Sequence, residues 1–187
     1  MPRDPGVASR DGRVNNILIG AESRIPNPTP VLEIGIGLVG LVVIIFLHGV
    51  GIRFVNRSFN SAWVHVTPRT PIWRINVILT AAIFGLCLLH FVETLLWAVP
   101  ISRAGIIPNL RDSYYFVLDR YTTLGEDGLA LDPRWRLIGP IIAMSGLFTF
   151  GWTGSVLVSI MGELGRLDRV RARKETADDA KTGDPPS

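Results

Sequence analysis

Three long apolar windows constrain this chain more than any other feature. Val31 to Val50, Ile75 to Val99 and Leu137 to Met161 hold 20, 25 and 25 residues, each at least as long as the ~20 residues that cross the hydrocarbon core of a bilayer. The third window has no charged side chain, and the first contains an unbroken apolar run from Ile34 to Leu47. Helices buried in a soluble domain rarely need such lengths, so a water-soluble enzyme is the first class to go. A mean hydropathy of +0.33 beside 19% charged residues supports the same conclusion. The sequence therefore predicts an all-α membrane protein with three transmembrane helices, at about 31–54, 73–99 and 137–162.

The remaining composition narrows partners and chemistry. The net charge of +3 comes from 19 basic and 16 acidic residues, and the basic ones are spread over loops and tails instead of forming a stripe, so nucleic acid is excluded as a partner. The lone cysteine, Cys87, lies in the second window, where it can form no bridge within the chain and reads as a small buried filler. Residues 1–30 form a polar segment whose only apolar patch, Ile17 to Gly20, is too short for a signal-peptide core, so the chain is expected to be anchored by its own helices. Residues 165–187 read as a basic tail that becomes disordered from Glu175 onward.

Basic residues set the expected orientation. Arg53, Arg57, Arg69 and Arg74 lie between the first two windows, and Arg166, Arg169, Arg171, Arg173 and Lys174 follow the third. By the positive-inside rule both groups are cytoplasmic, which places the N-terminus outside and the C-terminus in the cytoplasm. An external segment, Pro100 to Arg136, then joins the second and third helices. Within it, Asp112 to Tyr121 is too short to span but long enough for a re-entrant half-helix, N-capped by Asp112 or Ser113. The run Thr122, Thr123, Leu124, Gly125, Glu126, Asp127 and Gly128 follows, and its glycines and polar residues suit extended irregular backbone. Such backbone is tolerated at membrane depth only beside protein or a water-filled cavity. The transmembrane domain is accordingly 31–164, with a pore helix and filter loop at 112–128.

Several stretches carry a family resemblance: Leu89-His90-Phe91-Val92-Glu93 with Trp97, then Tyr121-Thr122-Thr123-Leu124-Gly125, then Trp135-Arg136-Leu137-Ile138-Gly139, and finally Phe150-Gly151-Trp152-Thr153. Their order and spacing resemble the potassium-channel pore domain, and more closely the small bacterial "ion channel" proteins that add one transmembrane helix ahead of it. The resemblance covers about Ile34 to Met161. It implies a homotetramer in the bacterial inner membrane, with a re-entrant helix aiming its C-terminal dipole at a cation and the carbonyls after it replacing the ion's water. The expected partners are monovalent or divalent cations and the lipid bilayer, with no cofactor. A potassium filter continues after Thr-Leu-Gly with Tyr-Gly-Asp, whereas this chain has Glu126, Asp127 and Gly128. Four copies would place eight carboxylates at the outer mouth, a ring closer to those of less selective or divalent-preferring cation pores. The alternative reading is a non-conducting protein of the same fold, acting as an accessory or sensory subunit.

Other residues are read against bland alternatives. Asp119 and Arg120, in the last turn of the pore helix, are expected to pair locally or to support Glu126 or Asp127. His90 and Glu93 share a helix face three residues apart and should pack on the re-entrant helix as pore support, with proton sensing as a second role. One histidine and one glutamate without further convergent ligands make no metal site. His48 is placed near the cytoplasmic end of the first helix as an interfacial residue. Gly35, Gly37 and Gly40, and likewise Gly151, Ser155 and Ser159, form small-residue strips for helix packing, while Gly146 and Gly151 are candidate hinges. Trp73, Trp97 and Trp135 fit interfacial anchors. No nucleophile with its base is readable, so no enzymatic activity is expected.

Overall fold

The computed structural model describes residues 30–125, 128 and 131–182, the last four by backbone alone. Glu126 and Asp127, almost all of the polar segment 1–30 and residues 183–187 lie outside them. Every regular element among the described residues is a helix, without a strand: α1 (Pro30–Trp63), α2 (Ile72–Arg103), the short α3 (Leu110–Tyr121), a 3₁₀ turn (Pro133–Trp135) and α4 (Ile138–Thr182). The three long helices are each long and apolar enough to cross a membrane. This fits a multi-pass membrane protein, as expected from the three windows.

All three long helices outrun the sequence estimate, α2 by four residues at its C-terminal end. α1 continues nine residues past position 54, because Ile52, Phe59 and Trp63 keep the helical spacing that packs them against α2, with Phe59 and Trp63 stacked at 5.2 Å between centroids. α4 runs to Thr182 through the stretch expected to be a disordered tail from Glu175. Arginine, alanine, lysine and glutamate there are good helix formers, Glu163 pairs with Arg166 at 3.1 Å, and Arg171 donates to the carbonyls of Pro68 (3.1 Å) and Thr70 (2.5 Å). Those two bonds fasten the end of α4 to the α1–α2 loop.

α1 lies against α2 and α4, and α3 is wedged between α2 and α4. Small residues permit the close approaches: the Trp97 ring covers Gly40, and Leu89 covers Gly51. Gly37 likewise faces Ile141, whereas Gly35 has open space around it. Glu33 links the two parallel helices at one end. Buried in the first turn of α1, its Oε1 accepts from the backbone N–H groups of Leu137 and, at 3.2 Å, Ile138. A carboxylate thus sits where the N-terminal dipole and unpaired N–H groups of α4 favour one.

α3 starts earlier than expected. Asn109, in extended conformation after Pro108, is the N-cap and accepts from Arg111 N at 2.9 Å. Ser113, one of the expected caps, instead donates its hydroxyl to Ala98 O at 2.9 Å and pins α3 to α2. The 3₁₀ turn before α4 is capped by Asp132. Bonds from the Arg134 backbone N–H and guanidinium hold that exposed carboxyl below the usual carboxylate range.

Three other expectations are corrected. Trp97 is buried in the bundle and not exposed as an anchor, donating Nε1 to Ser145 Oγ at 3.1 Å, because it stands one turn after Glu93 on the same inward face of α2. Cys87 is exposed, on the α2 face shared with Phe84 and Leu88 and turned from Leu86. Gly151, Ser155 and Ser159 also face outward from the single chain, so that strip packs on nothing within it.

Candidate functional site

Two apolar clusters fill the bundle, one around Ile44, Trp97, Phe116 and Ile142 and the other around Ile52, Leu86, Val156 and Ile160. Between them, every helix contributes a polar side chain to a single network. His48 of α1 and Glu93 of α2 are fully buried, with His48 Nδ1 2.7 Å from Glu93 Oε1. Tyr121, the last residue of α3, donates its hydroxyl to the other carboxylate oxygen at 2.5 Å. The same hydroxyl lies 2.9 Å from His90 Nδ1 and 2.6 Å from Thr149 Oγ1. Thr153 Oγ1 stands between the two imidazoles, 3.0 Å from His90 Nε2 and 3.4 Å from His48 Nε2. Aromatic rings close the sides: Phe150 stacks on His90 at 4.4 Å and Trp152 lies 5.6 Å from His48.

The depth of this network follows from helix geometry. Glu93 is ten residues from the end of α2 and Thr149 eleven from the start of α4, about 15–17 Å along each axis at ~1.5 Å per residue. His48 is therefore fully buried inside the bundle and not exposed near a helix end. It falls fifteen residues before Trp63, because α1 extends beyond the apolar window from which its end was judged.

His90 and Glu93 do face α3, as their spacing suggested, and the contact is Tyr121. The spacing supplied only those two ligand-type residues; the fold brings His48 to them as a third, and the ligating atoms of all three lie within 4.8 Å of one another. Tyr121, Thr149 and Thr153 also belong to the site although sequence reasoning gave them no role. For Thr149 and Thr153 a signal was present, two hydroxyls four residues apart in the third apolar window, whereas Tyr121 lies outside the windows.

Beyond Tyr121 the backbone turns instead of extending. Thr123 N donates to Arg120 O at 3.0 Å and Leu124 N to Asp119 O at 2.9 Å, with Thr123 at φ 61°. This is a Schellman close of the helix, and it satisfies carbonyls that the helix leaves without partners. Glycine normally fills the left-handed position; here a β-branched residue does. Thr122 adds its hydroxyl to Leu118 O at 2.8 Å. The expected extended run thus begins no earlier than Leu124, with Gly125 (φ 75°) and Gly128 (φ 61°) also left-handed. Thr122, Thr123, Leu124, Gly125 and Gly128 are all exposed on the single chain.

Asp119 is buried and its Oδ2 lies 3.9 Å from Arg120 Nε, while the Arg120 guanidinium sits 5.3 Å over the Phe116 ring. Support of Glu126 or Asp127 by Arg120 falls outside the described residues. Arg120, Thr123, Gly125 and Arg136 border an open cavity of roughly 780 Å³. Of the candidate hinges, Gly146 is packed so tightly on Tyr121 that a Cβ would strike its carbonyl, and Gly151 is open. No protein-family model matches the chain, and neither a curated protein nor a solved structure matches it.

Proposed function

We propose that this chain is a cation channel subunit, with α3 a re-entrant pore helix and residues 122–128 lining the ion path of a homotetramer in a bacterial cell membrane. One observation carries the reading. Backbone at Leu124 and Gly125, past the turn that closes α3, is exposed on the single chain a few residues after Tyr121, whose hydroxyl reaches Glu93 inside the helix bundle. Lipid cannot satisfy such backbone, so it requires water and neighbouring protein there. Copies of the chain closing around an axis supply both. Four carboxylate pairs from Glu126 and Asp127 then face the aqueous mouth and favour cations. Arg53 and Arg57 late in α1, Arg69 in the loop after it, Arg74 in the first turn of α2 and the arginines of α4 beyond Met161 support an orientation with the C-terminus in the cytoplasm.

The test is current across a planar bilayer holding purified protein, with potassium, sodium and calcium exchanged on one side. Reversal potentials that follow a cation are expected. Glu126→Gln with Asp127→Asn should change conductance or divalent block strongly, and an unaltered ion profile would remove the acidic pair from the path. Glu126→Tyr with Asp127→Gly should move the pore toward potassium. The Schellman turn favours a second reading, a non-conducting accessory or sensory subunit, because it engages the carbonyls of Asp119 and Arg120 that would otherwise end the pore helix facing an ion. Silence from folded, oligomeric protein in every form would select that reading.

A further inference from the structure

We propose that His48, His90 and Glu93 bind a zinc ion inside the helix bundle, with the Tyr121 hydroxyl as fourth donor. The inference is independent of whether the protein conducts. Four donor atoms converge: His48 Nδ1 is 2.7 Å from Glu93 Oε1, His90 Nδ1 is 3.6 Å from Glu93 Oε2, and the Tyr121 oxygen is 2.5 Å from Glu93 Oε2 and 2.9 Å from His90 Nδ1. Tetrahedral zinc with bonds of ~2.0–2.1 Å separates its ligands by roughly 3.3 Å, so small side-chain adjustments seat the ion. Two imidazoles with a carboxylate suit a borderline first-row ion and not the all-oxygen pattern of hard cations, and the Tyr121 oxygen that completes four donors favours tetrahedral zinc.

Proton accounting gives a second, separate argument. Both Nε2 atoms approach the one hydroxyl of Thr153. If both imidazoles are neutral and carry their hydrogen on Nδ1, each Nε2 needs a donor, and Thr153 has a single hydrogen to give. In that tautomer one nitrogen is left unsatisfied between apolar clusters, which is destabilising. A metal on both Nδ1 atoms reverses the requirement. Each Nε2 then carries hydrogen, and the two lone pairs of Thr153 accept both, the outer support that orients metal-bound histidines. Without a metal, full satisfaction takes one added proton on the network: either an imidazolium balanced by Glu93, or a protonated Glu93 donating to Tyr121, which donates to His90 Nδ1 while His90 Nε2 donates to Thr153 and Thr153 to His48 Nε2. Access comes from the His90 side, whose side chain is 13% exposed while those of His48 and Glu93 are fully buried.

The experiment uses the full chain, purified in detergent without a histidine tag, stripped with chelator and re-equilibrated with Zn²⁺ or Co²⁺. One Zn²⁺ per chain, measured by elemental analysis, and the visible bands of tetrahedral Co²⁺ are expected. Thr153→Val, which touches no ion, should weaken Zn²⁺ binding by about 10–100-fold, the usual loss when an outer partner of a ligand is removed. The double variant His48→Asn with His90→Asn should retain none. Folded wild-type protein that takes up neither ion overturns the proposal and assigns the network to a bound proton. Equal uptake by the double variant also overturns it, placing the ion elsewhere, for instance at the exposed His65. If the double variant does not fold, the wild-type Co²⁺ spectrum decides alone: octahedral bands overturn the site.

Discussion

At the scale of single residues, two side chains at the end of α3 set the local energetics. Thr123 occupies a left-handed position that costs a β-branched residue about 1–2 kcal/mol. Thr123→Gly should therefore stabilise the folded protein by about 1 kcal/mol, read as a rise in the thermal unfolding midpoint in detergent. No rise would mean that the Schellman turn is not the form adopted in solution. Tyr121 works in the opposite sense, since its hydroxyl serves Glu93, His90 and Thr149 together. Tyr121→Phe leaves a buried carboxylate oxygen short of its donor and should cost about 1–3 kcal/mol by the same measurement. Sequence showed the ionisable character of His90 and Glu93 but hid the partner, because His48 is 45 residues from Glu93 and no periodicity links separate helices. Glu126 and Asp127, the most informative departure from the resembled filter, were legible as residue types alone.

Among the elements, the closest meeting is that of α3 with α4. Gly146 lies against the Tyr121 carbonyl so closely that any side chain must push the two helices apart, whereas Gly151 has nothing within 4 Å. Gly146→Ala should lower stability by about 1–3 kcal/mol, and Gly151→Ala should leave it within about 0.5 kcal/mol. Equal effects from both would show that the α3–α4 contact is absent from the folded protein. The pair separates two glycines that sequence alone offered as equivalent hinges. Helix identities were legible from the three windows, because apolar length is itself the physical requirement for spanning. Helix ends were not. α1 and α4 continue into polar sequence held by Phe59 and Trp63 and by Arg171 on the α1–α2 loop, contacts that a hydropathy window does not register.

For the whole molecule, apolar side chains cover the outside: Phe46, Phe54, Phe84, Leu88, Leu147 and Val158 are all exposed on the single chain. Lipid accounts for most of that surface. The outward strip of Gly151, Ser155 and Ser159 and the open segment at Thr122 to Gly125 suit contact between copies. Chemical cross-linking in native membranes should give a ladder that ends at four chains. A ladder ending at two would exclude a four-fold axis and with it the proposed ring of acidic pairs. The long-range bonds also carry a consequence for how the chain is made. Glu33 finds its backbone partners 104 residues later, and His48 meets Thr153 105 residues later. At a synthesis rate of ~5–20 residues per second, α1 waits about 5–20 seconds in the translocation machinery or the bilayer with Glu33 unsatisfied and with His48 bonded on its Glu93 side alone. A nascent chain stopped before α4 presents those groups to lipid, and membrane quality-control proteases that recognise unpaired polar residues then have a mark by which to remove it.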